Sequence, residues 1–163
     1  MFESSYKIRV SSRAIILHED KILLNEFGGG KYYNFIGGGI ENNETAKQAV
    51  IREVMEEAGL SITVGELVFS LEYEPKSCGY YYGSGHHISF FFRCYRNENI
   101  SPQTPSHPDN NPDDPTITSV AKWIKLSELH TIPFVPKIYG PLMDYIKTGV
   151  FIPSFWSECE HRQ

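Results

Sequence analysis

The sequence predicts an α/β fold, a sandwich of helices on a mixed β-sheet, and three observations carry that expectation. The first third is rich in strand-forming runs, a sharply delimited helix follows at residues 43–58, and further β-rich runs lead to a terminal helix. Residues 8–17 and 21–25 read as strands joined through the polar turn His18-Glu19-Asp20, a hairpin. Residues 27–31 are glycine-rich, and residues 32–36 form a short aromatic and β-branched strand that runs into Gly37-Gly38-Gly39. In the helix, Asn43 is placed as N-cap, Glu44 in the first turn, and Gly59 where a C-terminal glycine belongs. Residues 62–73 and 87–95 are β-rich and expected to pair across the aromatic stretch 76–85. Residues 97–119 change to Asn, Asp, Pro, Ser and Thr, a long polar loop of the kind usually functional or disordered. Residues 121–126 restore a strand, Ser127 caps a short turn, and residues 136–148 read as a helix interrupted near Gly140-Pro141. No repeat or internal boundary appears, so residues 1–163 are expected to form a single domain.

The chain has 163 residues, 40% of them hydrophobic, with a net charge of −5. A domain of this size buries roughly 70% of its unfolded surface, so it needs no metal or disulfide for stability, and a metal site would be available for chemistry. No apolar stretch approaches the roughly 20 residues that span a bilayer, which argues against a membrane role. Residues 1–10 hold no apolar signal core, so a cytoplasmic location is expected. Cys78, Cys94 and Cys159 are odd in number and widely spaced, and are expected to be free thiols. Fifteen Lys and Arg against twenty Asp and Glu speak against a nucleic acid polymer as partner, which needs a basic stripe. A small phosphorylated ligand remains open, because a metal ion can supply positive charge.

Projecting the helix at about 100° per residue puts Val50, Ile51, Val54, Met55 and Ala58 on one arc, expected to face the core. Glu53, Glu56 and Glu57 fall together on another, beside the small Ala46 and Ala49. Like charges at these spacings cost about 0.2–0.5 kcal/mol per pair, and negative charge near a helix C-terminus costs about 0.3–1 kcal/mol more. An acidic helix face is ordinarily just solvated. Here three oxygen donors stand beside a glycine turn with backbone carbonyls to offer, which suits a hard cation such as Mg2+ or Mn2+. Mg2+ keeps coordination positions for water and phosphate oxygens, so such a site is also a phosphate site.

Gly38, five residues, Glu44, seven residues, Arg52-Glu53-Val54, one residue, Glu56-Glu57, one residue and Gly59-Leu60 resembles the Nudix box at every defined position. A chance match at seven fixed positions is on the order of one in 10⁸ for average residue usage. The likeness extends loosely over residues 11–146; one departure is Ile36, where the family often has proline before the glycines. The resemblance implies a Nudix fold, an α/β/α sandwich with a mixed β-sheet, and hydrolysis of a nucleoside diphosphate linked to another moiety. Carried over by position, Glu53, Glu56 and Glu57 would ligate Mg2+, with Mn2+ as substitute, and a carbonyl of Gly38 or a neighbour would join them. Arg52 would orient the glutamates, and Glu44 would support the helix start. The partner implied is a small-molecule nucleotide substrate, and the family's habits make a homodimer one expected assembly. The alternative reading is a non-catalytic nucleotide-sensing or partner-binding domain on the same fold.

Hydrolysis requires that water be deprotonated, the phosphate charge screened and both held in line. Glu56 is the first choice of general base, with Glu98, Asp109, Asp113 and Asp114 as alternatives from the polar loop. For the substrate, Pro75 stands fifteen residues beyond Leu60, a placement similar to that in ADP-ribose-type pyrophosphatases and equally explained by a turn. Phe35, Tyr81, His87 and Glu98 are taken as substrate-binding candidates; among the aromatics Tyr32, Tyr33, Phe35, Tyr80, Tyr81 and Tyr82, most are expected to pack rather than stack on a base. His86 and His87 alternate along a strand, so at most one points into a cleft.

Overall fold

The computed structural model describes residues 6–97, 110–111 and 114–161. Its elements run β1 (Ile8–His18), β2 (Lys21–Phe27), β3 (Tyr32–Gly39), α1 (Ala46–Ala58), β4 (Ile62–Tyr73), β5 (His86–Arg96), β6 (Asn110–Asn111), β7 (Asp114–Lys125), a 3-10 turn (Leu126–Thr131), α2 (Tyr139–Thr148) and β8 (Phe155–Ser157). The strands lie in the order β6-β7-β2-β3-β1-β5-β4-β8. β1 runs parallel to β5 and β4 parallel to β8, while the other pairs are antiparallel, so the sheet is mixed as expected. The β1–β2 hairpin is present, with Leu17 opposite Ile22 and His18 opposite Lys21.

Alternation along β1 divides the core in two. Ala14 and Ile16 join Val50, Val54 and Ala58 of α1 on one face of the sheet. Ile15 turns to the other face, where Phe69, Phe91, Leu142 and Tyr145 pack. A stacked run of rings, Phe91 on Phe69 at 4.2 Å and Phe69 on Phe151 at 4.0 Å, fills that second layer. Burying each such side chain contributes about 1.5–3 kcal/mol. With α1 on one face and α2 on the other, the layers are α/β/α.

Several expectations need correction. The N-cap of α1 is Thr45, not Asn43: its hydroxyl accepts from Gln48 N at 3.2 Å while its own N–H donates to Gln48 Oε1 at 2.8 Å. This reciprocal box satisfies two backbone donors, and Asn43 instead supplies a left-handed turn residue at φ 67°. Gly59 ends the helix at φ 64°, as expected, its N–H donating to Met55 O at 3.0 Å. Ile51 and Met55 are 43% and 50% exposed rather than core-facing. Helix α1 is rotated so that Glu53 and Glu57 occupy the buried arc those two were expected to fill. β7 begins at Asp114, well before residue 121, and takes over part of the polar segment. The 3-10 turn has no side-chain cap, so Ser127 does not serve as one. α2 starts at Tyr139, placing Pro141 in the first turn, where a missing N–H costs no helical bond; the helix is not interrupted.

The largest correction concerns sulfur. Cys78, in the turn after β4, is bonded to Cys159 near the C-terminal end, across 81 residues of sequence. Only Cys94 is a free, buried thiol. The inference from free thiols to a reducing compartment loses that support. No helix among the described residues is long and apolar enough to cross a membrane.

Candidate functional site

The last two turns of α1 lie against the end of β3, and a cavity of about 670 Å3 opens there. Glu53, Glu57 and Gly37-Gly38-Gly39 line it, together with Arg9 and Arg13 from β1. Gly37 and Gly38 are there because nothing larger fits. A Cβ on Gly38 would stand 2.5 Å from Glu53 Oε1, and one on Gly37, at φ 144°, would collide with the Ser12 carbonyl oxygen. Absence of side chains lets two carboxylates reach the strand backbone, where Gly37 N–H donates to Glu57 Oε2 at 2.9 Å.

Arg52 organises the outer side of this helix end. Its guanidinium donates to Glu44 through Nη2 at 2.7 Å and Nε at 3.1 Å, to Gly39 O at 3.1 Å, and to Glu53 Oε1 at 2.8 Å. The fork therefore joins the approach to α1, the glycine strand and an acidic side chain. Hydrogen bonding to Arg52 holds the Glu44 carboxyl below its usual range, and Glu44 in turn raises Arg52. Arg52 also reaches Glu56 Oε2 at 3.4 Å, but the Glu56 side chain is 59% exposed and stands outside the cavity lining.

Glu57 is the most perturbed group. Burial drives its pKa up to about 8, and Glu53 pushes in the same direction; the Gly37 N–H, Arg13 and Asn25 oppose them. Burial likewise pushes the Arg13 guanidinium down, while its Nη1 donates to Phe35 O at 2.9 Å. Asn25, 1% exposed on β2, lies close enough to Glu57 to favour its ionised form but not in the geometry of a formed hydrogen bond, and its amide atoms meet no other partner among the described residues.

Among the described residues no three acidic, His or Cys side chains form a ready-made metal set. The donors present nonetheless fit a hard divalent cation: two buried carboxylates, glycine backbone beside them, an orphaned amide, and Glu56 one helical turn from Glu53 at the rim. A cation there would relieve the repulsion and desolvation that otherwise force a proton onto Glu57.

The structure brings Glu53, Glu57, Arg52 and Gly38 together as the sequence reading expects and leaves Glu56 on the rim. His87 lines the cavity, while His86 turns away to Glu72 and Tyr6, as strand alternation requires. Phe35 does not line it: the ring is fully buried against Phe91 and Phe134, because β3 directs alternate residues into the core. Tyr81 is 59% exposed and outside the lining, whereas Tyr82 and Tyr32 belong to it, the latter stacked on Phe27 at 4.6 Å. Pro75 is buried at the start of the turn, its carbonyl accepting from Tyr80 N at 2.8 Å. Glu98, Asp109 and Asp113 lie outside the described residues, as does the side chain of Asp114.

Sequence reading missed Arg9, Arg13, Asn25 and Glu158. For Arg13 a signal existed: a charged residue directly before the apolar run at residues 14–17, on the face that Ile15 shares. Glu158 carried none, since its placement depends on β8 pairing with a strand some eighty residues earlier.

The family model described as NUDIX domain matches residues 7–145. The CTP pyrophosphohydrolase of Escherichia coli (strain K12) is 40% identical over 65 residues, which cover 37% of this chain and 48% of that protein. The chain thus matches about half the length of that curated relative. An ADP-ribose pyrophosphatase from Streptococcus suis 89-1591 superposes with a TM-score of 0.56 at 25% identity, over 78% of this chain and 79% of that one. A NUDIX hydrolase from Nitrosomonas europaea reaches a TM-score of 0.63 over 88% and 90% of the two chains at 24% identity, a likeness of fold.

Proposed function

The chain belongs to the Nudix family, and from that premise we propose that it is a pyrophosphohydrolase acting as a single domain over residues 1–163. Its substrate is a nucleoside diphosphate linked to another moiety, such as a nucleotide sugar or an ADP-ribose-like compound, or a nucleoside triphosphate. The cofactor is Mg2+, with Mn2+ as substitute. The observation that carries this reading is the pair Glu53 and Glu57, buried at 9% and 5% exposure in a cavity that two arginines also line. Two carboxyl groups are buried together only where a proton or an opposite charge offsets one of them, and a divalent cation would take the place of the proton on Glu57. The CTP pyrophosphohydrolase and the ADP-ribose pyrophosphatase to which the chain is similar both cleave a pyrophosphate bond and support the same class.

Glu53 and Glu57 would hold the cation, with Glu56, one helical turn from Glu53, as a third carboxylate. When bound, the divalent ion lowers the pKa of water and screens the phosphate oxygens. Arg52 keeps Glu53 in place and holds the glycine strand at Gly39. Arg9 and Arg13 face the phosphate groups as fixed positive charge. Glu56 takes the proton from the attacking water, and its exposure at the rim lets that proton pass to solvent. Water adds to phosphorus as the bridging oxygen departs, giving a nucleoside monophosphate and the remaining phosphate ester or pyrophosphate.

The test is a panel of ADP-ribose, nucleotide sugars, dinucleoside polyphosphates and nucleoside triphosphates with Mg2+ or Mn2+, following nucleoside monophosphate release by wild type and Glu57→Gln. Turnover of one compound class, lost in the variant, is the expected result. A folded wild type that cleaves nothing, yet is raised in Tm by nucleotide without metal, would instead be a sensing domain.

A further inference from the structure

On β2 the run Ile22-Leu23-Leu24 is fully buried, and Asn25 continues it at 1% exposure with an amide in place of an apolar side chain. Neither amide atom forms a hydrogen bond among the described residues. We propose that Asn25 is a positioning residue for the cation site: its amide N–H donates to the Glu57 carboxylate when a divalent ion is held there, fixing that ligand without adding charge. The proposal rests on the pyrophosphohydrolase reading for the presence of an ion at Glu57.

Strand alternation brings the two side chains together. Leu24 turns to the α2 layer with Phe35 and Phe91, whereas Leu23 turns to the α1 layer with Val50, Val54 and Ala58. Asn25, two residues beyond Leu23, shares that second face, and Ala121 opposite it on β7 packs in the same layer. Glu57 comes down from the buried arc of α1 onto this face, its Oε2 accepting from Gly37 N–H on the neighbouring β3. Asn25 lies beside it. Strand β3 thus supplies Glu57 with a backbone donor, and β2 places a side-chain amide next to the same carboxylate.

A buried amide without partners destabilises the chain, so an apolar residue would serve the core better. What the amide offers is a donor without charge. A lysine or arginine in its place would satisfy Glu57 by itself and repel a cation, and an aspartate would add a third acid to the buried pair Glu53 and Glu57. Asparagine does neither. Its terminal torsion is soft, so the amide plane can turn into line with the carboxylate at little cost. A ligand carboxylate held by a second hydrogen bond keeps its direction toward the ion, and removing such a partner costs about 10- to 100-fold in metal affinity.

The experiment is titration of the chelator-treated full chain with Mn2+, followed through the paramagnetic resonance signal of the free ion, with Mg2+ as competitor. Wild type is compared with Asn25→Val, a β-branched strand residue without a donor, and with the smaller Asn25→Ala; metal-free melting curves are recorded for all three. Asn25→Val should bind both ions about 10- to 100-fold more weakly while its metal-free Tm rises by about 2–4 °C, because the unpaired amide is gone. Opposite signs separate positioning from a structural role, which would lower the Tm and leave the affinity alone. Asn25→Ala should lose affinity to the same extent, and it carries the reading if the valine variant does not fold. Affinity within twofold of wild type in either folded variant overturns the proposal, as does an affinity loss in Asn25→Val that comes with a lower Tm, or failure of both variants to fold. A wild type that binds neither ion overturns it too. Turnover of the nucleotide panel is followed in parallel. Ion binding that depends on Asn25 without turnover of any compound breaks the hydrolase reading and leaves Asn25 standing, while turnover with unchanged ion affinity breaks Asn25 alone.

Discussion

Glu53 and Glu57 stand one turn apart on α1 and face a strand that ends only seven residues before the helix begins. Tyr73, Tyr82 and Glu158, at the other end of the same cavity, come from a strand, a turn and a C-terminal segment joined by long-range pairing and a disulfide. The first end is local and polar, with Arg52 donating four close hydrogen bonds: two to Glu44, one to Glu53 and one across to the strand at Gly39. Apolar rings and one acid make up the second, assembled only when β8 docks on β4. On the proposed reading, the difference is a division of labour: the local end would hold what every pyrophosphate has in common, and the assembled end would meet what differs between substrates. Changes at the first should act on kcat and changes at the second on KM.

The sharpest break of that comparison is Glu56→Gln. Removing a general base costs about 10²–10⁴-fold in rate, and this loss should fall on kcat with KM little moved. Metal-saturated steady-state kinetics would show it. Retention of most of the turnover rate would move the base to another acid and leave Glu56 with at most a ligand role. Arg52→Lys ranks next. Lysine keeps the charge but has no planar fork to bridge Glu44, Gly39 and Glu53 at once. A loss of about 10–100-fold in kcat, the range for residues that orient metal ligands, is expected, with the apparent metal affinity falling alongside. A drop in KM discrimination between substrates, with kcat intact, would contradict the division of labour.

Legibility in the sequence follows the same line. The glutamates, Arg52, Gly38 and Gly59 lie within 23 consecutive residues, where spacing goes far to fix geometry; Glu53, Glu57, Arg52 and Gly38 come together, Gly59 ends the helix, and Glu56 stays outside the cavity lining. Strand order could be anticipated only as a mixed sheet, because the parallel β1–β5 and β4–β8 pairs join segments far apart in the chain. Helix periodicity identified α1 but set its rotation wrongly. Apolar Ile51 and Met55 were the natural core face, and what overrode them was room for carboxylates beside Gly37 and Gly38, which only tertiary contact reveals. Phe35 and Tyr81 failed for a related reason: aromatic character does not tell a core ring from a cavity wall. The Cys78–Cys159 pairing was invisible because three cysteines without ligand-like spacing give no hint of which two meet.

A subtler way to sharpen the contrast uses pH. Glu57 holds its proton up to about pH 8 in the folded, metal-free chain, while an unfolded glutamate loses it near 4.5. Between these values the native state binds more protons than the unfolded state, so stability falls as pH rises through the window. Chelator-treated protein, unfolded by denaturant at pH 5, 6.5 and 8, should show this decline relative to Glu57→Gln, which lacks the group. Mg2+ or Mn2+ should flatten it by favouring the ionised carboxylate. An identical pH slope in wild type and variant would mean that Glu57 is ionised without a cation, and the case for a charge-hungry local end would weaken.

The smallest expected effect tests whether the local end is as self-contained as its short span suggests. Thr45 caps α1 from outside the cavity, at the opposite end of the helix from Glu57. Thr45→Ala removes the hydroxyl that accepts from Gln48 N–H, and such caps are worth about 1 kcal/mol. For a chain of this size that corresponds to a fall in Tm of about 2–4 °C. Because the last two turns of α1 are held independently, by Arg52 on Gly39 and by Glu57 on Gly37, kcat should stay within about twofold of wild type at temperatures below the transition. Melting curves and kinetics on the same preparation separate the two quantities. If kcat fell tenfold while Tm moved by only a few degrees, the glutamates would depend on the whole helix for their position, and the local end would be no less an assembled structure than the far one.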